Sequence, residues 1–437
     1  MNFSFKIEKK LPSGLGRAGK ISTPHGEIET PSFVVVGTKG SVKSLTPEQT
    51  EELGAQVVLA NTYHLYLQPG QETLEKAGGL GKFMNWNGPT MTDSGGFQAF
   101  SLGVAFGLRL SKIKGVSGRP SALADGLGKK MNKLAEVKQD KNDIDERDDS
   151  TQLAKITEDG VEFKSVLDGS THFFTPERSM EIQRSIGADI IFAFDECTSP
   201  VASKEYQKEA MERTHRWAER SLSAHQGSTL DLKGTLMRFA KKGETSGTPQ
   251  ALFGIVQGGR FEDLRKESAK FIGAMDFDGF GIGGSFEKED MHTAVGWVNE
   301  ILPEEKPRHL LGIGDPLDIF EAVEKGCDLF DCVAPTRIAR HGTLYTKNGL
   351  IHIGNNSYRN DFTAIENDCG CYTCKNFTKS YIGYLFRARE FLAYTLASIH
   401  NLYFIVNLVK KMRQGILDGN FQKIKEDFLG SYKIESR

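Results

Sequence analysis

At 437 residues, 38% of them hydrophobic and 26% charged, the chain has a globular composition and enough length to bury one large core or two smaller ones. A formal net charge of −2 excludes a polycation, so any grip on nucleic acid must come from a local basic patch. No apolar run approaches a membrane span, and the N-terminus lacks the apolar centre of a signal peptide, so the expected location is the cytoplasm.

Short apolar runs recur along the chain at 33–36, 57–60, 90–92, 190–194, 252–256, 280–282, 309–311 and 329–330. Helix-like segments lie between most of them. Those at 46–53 and 175–186 both open with Thr-Pro-Glu, and further helical periods cover 204–224, 261–272, 290–301 and 316–325. Alternating strand and helix predicts a parallel α/β fold, and eight candidate strands predict a closed (β/α)8, or TIM, barrel. Residues 161–174 break the alternation and read as a hairpin turning at Asp168-Gly169. Two segments read as insertions forming surface loops. Residues 107–160 contain no aromatic side chain, and 227–250 is rich in Gly, Ser, Thr and Lys.

Active sites of such barrels sit at the C-terminal strand ends. Here those ends carry 61–64, 93–98, 195–197, Gln257, Gly283-Gly284, 312–314 and Asp331. Asp93 and Asp331 form the expected catalytic pair: one carboxylate attacks an anomeric carbon while the other handles protons. A carboxylate and an amide side by side suit the edge of a guanine-like base, and glycines let a flat ligand approach the backbone. Arg337 and Arg340 follow Asp331, and a guanidinium fork matches phosphate oxygens. Lys347, Arg359, Lys375, Lys379, Arg387 and Arg389 extend this basic region.

Six cysteines are present, and Cys369, Cys371 and Cys374 crowd together. Without a secretion signal, that spacing favours metal over disulfides. With His400 they make a closed Cys3His set for one structural Zn2+. Residues 375–399 read as one helix that returns His400, at its end, to the cysteines. The expected division is a catalytic barrel over 1–365 and a C-terminal zinc-binding subdomain over 366–437.

Several ordered segments resemble the tRNA-guanine transglycosylases, or queuine tRNA-ribosyltransferases, of bacterial type. They are 61–70, 91–98, 193–198, 253–258, 312–314, 330–337 and the Cys369/Cys371/Cys374/His400 set, spread from about residue 12 to the C-terminal end. The resemblance implies a pentosyltransferase that exchanges the wobble guanine of GUN-anticodon tRNAs for the queuosine precursor preQ1. Asp331 falls on the family's nucleophile, which attacks C1′ and leaves a covalent tRNA–enzyme intermediate. Asp93 falls on its acid/base. Asp195, Gln257 and the backbone at Gly284 fall on base-reading positions, and Ser94, Gly95, Gly96 and Phe97 line the pocket. Gly312, Ile313, Gly314, Asp315, Pro316, Leu317 and Asp318 fall on tRNA contacts, as do Thr336, Arg337, Ile338, Ala339 and Arg340. The family also implies a homodimer through the zinc region.

Three features depart from the family pattern. Phe97 replaces the tyrosine common in bacterial members and looks more like the eukaryotic, queuine-inserting ones. Ser285-Phe286 replaces the usual Leu-Ala or Leu-Ser, and the insertions at 107–160 and 227–250 are atypical. Two other readings stand beside this one: a barrel glycosidase acting on free sugars or nucleosides, and a non-catalytic tRNA-binding partner subunit. The intact context of Asp331 speaks against the partner subunit.

Overall fold

The computed structural model describes residues 3–96, 154–227, 229–230, 236–237, 249–284 and 291–433. The chain opens with a three-stranded antiparallel sheet that the apolar pattern did not announce: β1 (Ser4–Lys10), β2 (Arg17–Thr23) and β3 (Gly26–Thr30). In β1, Phe5 and Ile7 alternate with Ser4, Lys6 and Glu8, the period-2 pattern of a half-buried strand and not a continuous apolar run.

Barrel strands β4 (Ser32–Val36), β5 (Val58–Ala60) and β6 (Thr90–Thr92) come next. A second antiparallel sheet follows, formed by β7 (Ala154–Ile156), β8 (Val161–Lys164) and β9 (Thr171–Phe174). Then come β10 (Ile190–Phe192), the short ribbon β11 (Thr229–Leu230) and β12 (Leu236–Met237), and β13 (Ala251–Val256). The barrel ends with β14 (Gly279–Ile282), β15 (Arg308–Leu310) and β16 (Leu329–Asp331), and a hairpin of β17 (Thr343–Thr346) and β18 (Gly349–His352) leaves it.

Eight parallel strands close in the order β4-β5-β6-β10-β13-β14-β15-β16, with β16 pairing back onto β4 through Phe330 and Phe33. Each expected strand is therefore present. These strands are buried on both faces, so they read as continuous apolar runs. The Thr-Pro-Glu openings cap helices as expected. Thr46 and Gln49 form a reciprocal capping box, and the Thr175 hydroxyl accepts from Arg178 N at 3.1 Å.

The hairpin turns where expected, with Lys164 opposite Thr171 and Gly169 at φ +77°. Residues 154–156 form its third strand, so this end of the expected 107–160 insertion is part of a sheet, not a surface excursion. Residues 107–153 and most of 227–250 lie outside the described residues.

The C-terminal region also differs from the single helix expected over 375–399. Three helices occupy it: Tyr372–Asn376, Lys379–Ala388 and Phe391–Asp418. Phe377 is extended and Arg389 adopts φ +60°, and each ends a helix. His400 thus sits inside the long helix, not at its end. Contrary to the expectation that no apolar run approaches a membrane span, Phe391–Asp418 is long and apolar enough to cross one, with hydropathy 1.4 over its most apolar window, but 67% of that window is buried. Its residues Leu402, Ile405, Val409 and Met412 share one core with barrel residues Phe33, Val35 and Phe330. It is a core helix.

Charge anchors the opposite, N-terminal face of the barrel. Arg17 grips Asp328 through Nε–Oδ1 at 3.0 Å and Nη2–Oδ2 at 2.7 Å, and both side chains are buried. Asp328 also accepts Arg308 N at 2.8 Å. The bidentate pair is nearly solvent-free, so losing one partner would strand a buried charge.

Candidate active site and metal centre

Because all barrel strands run parallel, the residues that leave their C-terminal ends meet at one mouth. Asp93 leaves β6 and is held by the chain leaving β5. Thr62 N donates to its Oδ1 at 2.8 Å, and Asn61 Nδ2 donates to its Oδ2. The Thr62 hydroxyl also bonds the Asp93 carbonyl. These contacts fix both the side chain and the backbone of Asp93.

Asp195 follows β10 and is 6% exposed. Its carboxylate takes one donor on each oxygen: Ser94 Oγ to Oδ1 at 2.9 Å and Gln257 Nε2 to Oδ2 at 2.8 Å. Gln257 is itself buried, and among the described residues its Oε1 has no hydrogen-bond partner. A buried acceptor left open is unusual unless a ligand completes it. The pocket wall is glycine by necessity at Gly96, where a Cβ would lie 2.6 Å from the Asp195 carbonyl. Gly284 has φ +98°, and a Cβ there would come within 3.1 Å of Gln257 Oε1.

A buried guanidinium backs this wall. Arg265 donates Nε to Gly259 O at 2.7 Å and Nη1 to Gly283 O at 2.8 Å, tying the ends of β13 and β14 together. Burial pushes it down to about 9.

Asp331 is the last residue of β16, and its side chain is 14% exposed. Its Oδ1 accepts two hydrogen bonds at 2.9 Å, from His309 Nε2 and from Gly312 N. In the segment after β15, Ile313, Gly314, Pro316 and Asp318 are buried, while Gly312, Asp315 and Leu317 are partly exposed. Asp315 caps the following helix by accepting Leu317 N at 3.0 Å. In the helix Ala334–Ala339, Thr336 and Ala339 are buried, Ile338 is partly exposed and Arg337 is exposed. Arg340 caps its end, half-buried, with Nε on Thr336 O at 3.1 Å.

Sequence reasoning missed His309, Lys39 and Lys43 as members of this mouth. Burial, Arg340 and Lys39 lower Lys43. Burial followed by Lys39 and Lys43 lowers His64, and burial followed by Arg337 lowers Arg340. Lys39, Lys43, Arg337 and Arg340 thus form one cationic cluster, in which Lys43 and Arg340 are the groups pushed down. Lys39 and Lys43 follow the end of β4, so the strand-end rule was enough to find them. Of the sequence-selected pocket residues, Phe97 lies outside the described residues, as do Ser285 and Phe286.

The four metal-type side chains come together. The ligand atoms of Cys369, Cys371, Cys374 and His400 all lie within 4.8 Å of one another. Nδ1 of His400 is 3.9, 3.6 and 3.3 Å from the three sulfurs in that order. A tetrahedral zinc with ordinary Zn–S and Zn–N bonds spaces S and N by about 3.6 Å, so the set fits that ion. His400 Nε2 donates to Tyr345 O at 2.7 Å, which leaves Nδ1 as the metal-facing nitrogen. Among the described residues no other metal-type cluster occurs.

A parallel barrel with carboxylates and amides converging on its mouth, beside a Cys3His cluster that could hold a metal ion, has the layout of a barrel enzyme. The chain matches the family "Queuine tRNA-ribosyltransferase" over residues 13–122 and 121–434. It is 44% identical over 432 residues to the queuine tRNA-ribosyltransferase of Desulforamulus reducens, covering 98% of both chains. It is 43% identical over 440 residues to that of Roseiflexus sp., covering 98% of this chain and all of the other. Identity to that of Fusobacterium nucleatum is 40% over 435 residues, with 98% of both covered. The chain belongs to the queuine tRNA-ribosyltransferase family, the tRNA-guanine transglycosylases, and is a pentosyltransferase.

Proposed function

We propose that this enzyme exchanges the wobble guanine of GUN-anticodon tRNAs for preQ1 through a covalent Asp331–ribose intermediate. The observation that carries the reading is the buried Asp195–Gln257 pair with its open acceptor, Gln257 Oε1. Guanine-type bases present adjacent N–H donors, and this edge offers acceptors to match. A base without those donors leaves buried polar atoms unpaired, so adenine should be rejected by about 10⁴-fold or more.

The target nucleotide leaves the anticodon stack and its base enters the pocket between Ser94–Gly96, Asp195, Gln257 and Gly284. Asp331 attacks C1′ as a carboxylate, the C1′–N9 bond breaks, and departing guanine takes its proton from Asp93. The incoming base then attacks through N9, gives its N9 proton to Asp93, and breaks the C1′–O bond to Asp331. Two inversions give retention at C1′. The cationic cluster of Lys39, Lys43, Arg337 and Arg340 holds the splayed backbone, with the 312–318 segment shaping the mouth.

Cys369, Cys371, Cys374 and His400 hold one Zn2+, whose role is structural because protein ligands fill all four positions. Residues 1–365 serve as the catalytic barrel and 366–437 as the zinc subdomain. A cytoplasmic homodimer pairs through the latter, where Phe391 is 83% exposed.

Queuine is the second reading for the incoming base, and Phe97 favours it. Exchange of radiolabelled guanine into GUN tRNA, with unlabelled preQ1 and queuine as competitors, tests both. Blocking mainly by preQ1 supports the first reading, and blocking mainly by queuine supports the second. No exchange would sink both. In Asp331→Asn, the tRNA adduct seen on a denaturing gel should vanish.

A further inference from the structure

We infer that His309 is a positioning residue for the carboxylate of Asp331, an inference that rests on the proposed nucleophile. Barrel interiors are normally filled by branched apolar side chains. His309 lies in β15 beside Leu329 of β16, is fully buried, and meets Phe192 edge to face at 5.5 Å. Its Nε2 lies 2.9 Å from Asp331 Oδ1, and among the described residues its Nδ1 has no hydrogen-bond partner. A carboxylate only accepts, so the proton is on Nε2. A ring held in an apolar layer, with one nitrogen aimed at the nucleophile and the other without a partner among the described residues, has a single polar task.

Gly312 N reaches the same oxygen at 2.9 Å. The two donors fix the rotation of the carboxylate. One comes from within β15 and the other from the turn just beyond it. Asp331 therefore faces C1′ without first having to find its rotamer. The backbone donor cannot be deleted by mutation, but the histidine donor can.

Kinetics of guanine exchange and adduct trapping on the full chain test this. In His309→Gln the amide nitrogen takes the place of Nε2. In His309→Asn it reaches only the place of Nδ1. His309→Asn should lower kcat by about 10–100-fold with KM for tRNA within about threefold of wild type. His309→Gln should restore kcat to within about fivefold of wild type. Wild-type kcat in His309→Asn, or an equal loss in both amide variants, overturns the inference. So does a loss confined to KM. Should the asparagine variant fail to fold, His309→Phe keeps a ring, removes the donor and is read the same way. Asp331→Asn is run alongside. If it still forms the adduct, the nucleophile reading fails and His309 falls with it. If it forms none while His309→Asn is fully active, only the positioning role falls.

Discussion

Asp195 is a carboxylate whose two oxygens are each engaged by a fixed neighbour, and the weak point of that arrangement is Gln257. Its Nε2 supports Asp195 while its Oε1 stays open. Gln257→Leu removes a donor from a buried anion together with the open acceptor. Hydrogen bonds to charged groups contribute about 1.5–3 kcal/mol, which corresponds to roughly 10–150-fold in binding. KM for guanine should rise within that range, measured by exchange at saturating tRNA. An unchanged KM would mean that the amide never touches the base. His215 offers a second residue-scale test. It stacks on Phe271 at 4.3 Å, and its Nε2 is 3.1 Å from Ser268 Oγ. Burial, aided by Arg216, pushes it down to about 4. Above pH ~6.5 the ring is neutral in both folded and unfolded chains. Below that, the unfolded chain takes up a proton that the folded one refuses until about pH 4. Stability is therefore lost across that window, by at most about 3 kcal/mol. Urea unfolding of His215→Phe should show a shallower decline between pH 6.5 and 4 than wild type.

The Cys3His element draws its four side chains from a loop, a helix cap, the short helix Tyr372–Asn376 and the long helix. Cys371 caps Tyr372–Asn376 by accepting Cys374 N at 3.2 Å, so one sulfur serves both the metal set and the helix. Cys371→Ser should lower both zinc content by mass spectrometry and thermal stability, because structural zinc binding is linked to folding. Zinc content equal to wild type would remove that expectation. The barrel strands were legible in the sequence because strands buried on both faces are unbroken apolar runs ended by polar or glycine residues. The carboxylates and the Cys3His set were legible because few other roles suit those residues at those places. The N-terminal sheet is announced only by alternation, Phe5 and Ile7 against Lys6 and Glu8, which continuous apolar runs do not capture. His309 was hidden because a histidine inside an apolar run carries no periodic signal. The breaks at Phe377 and Arg389 involve neither glycine nor proline, so the sequence offered no stop.

At the scale of the molecule, the helix Phe391–Asp418 spans three regions. His400 belongs to the metal set, and Asn401 Nδ2 reaches Pro335 O at 3.1 Å, just beyond the active-site strand. Arg413 Nη1 reaches Gly19 O at 2.9 Å and Thr30 O at 2.7 Å in the N-terminal sheet. The proposed tRNA footprint is equally collective. Combining Lys43→Ala with Arg337→Ala should reduce the salt dependence of tRNA binding, each change lowering the slope of log K against log salt by about 1. A slope equal to wild type would place the phosphates elsewhere. The long helix also sets a schedule for synthesis. The carbonyls that receive Arg413 are made 394 and 383 residues before it. At about 5–20 residues per second, the first sheet waits roughly 20–80 s on the ribosome for the side chain that completes it. Its earliest strands emerge with their partner still untranslated, and this is the interval in which a nascent-chain chaperone would have something to hold.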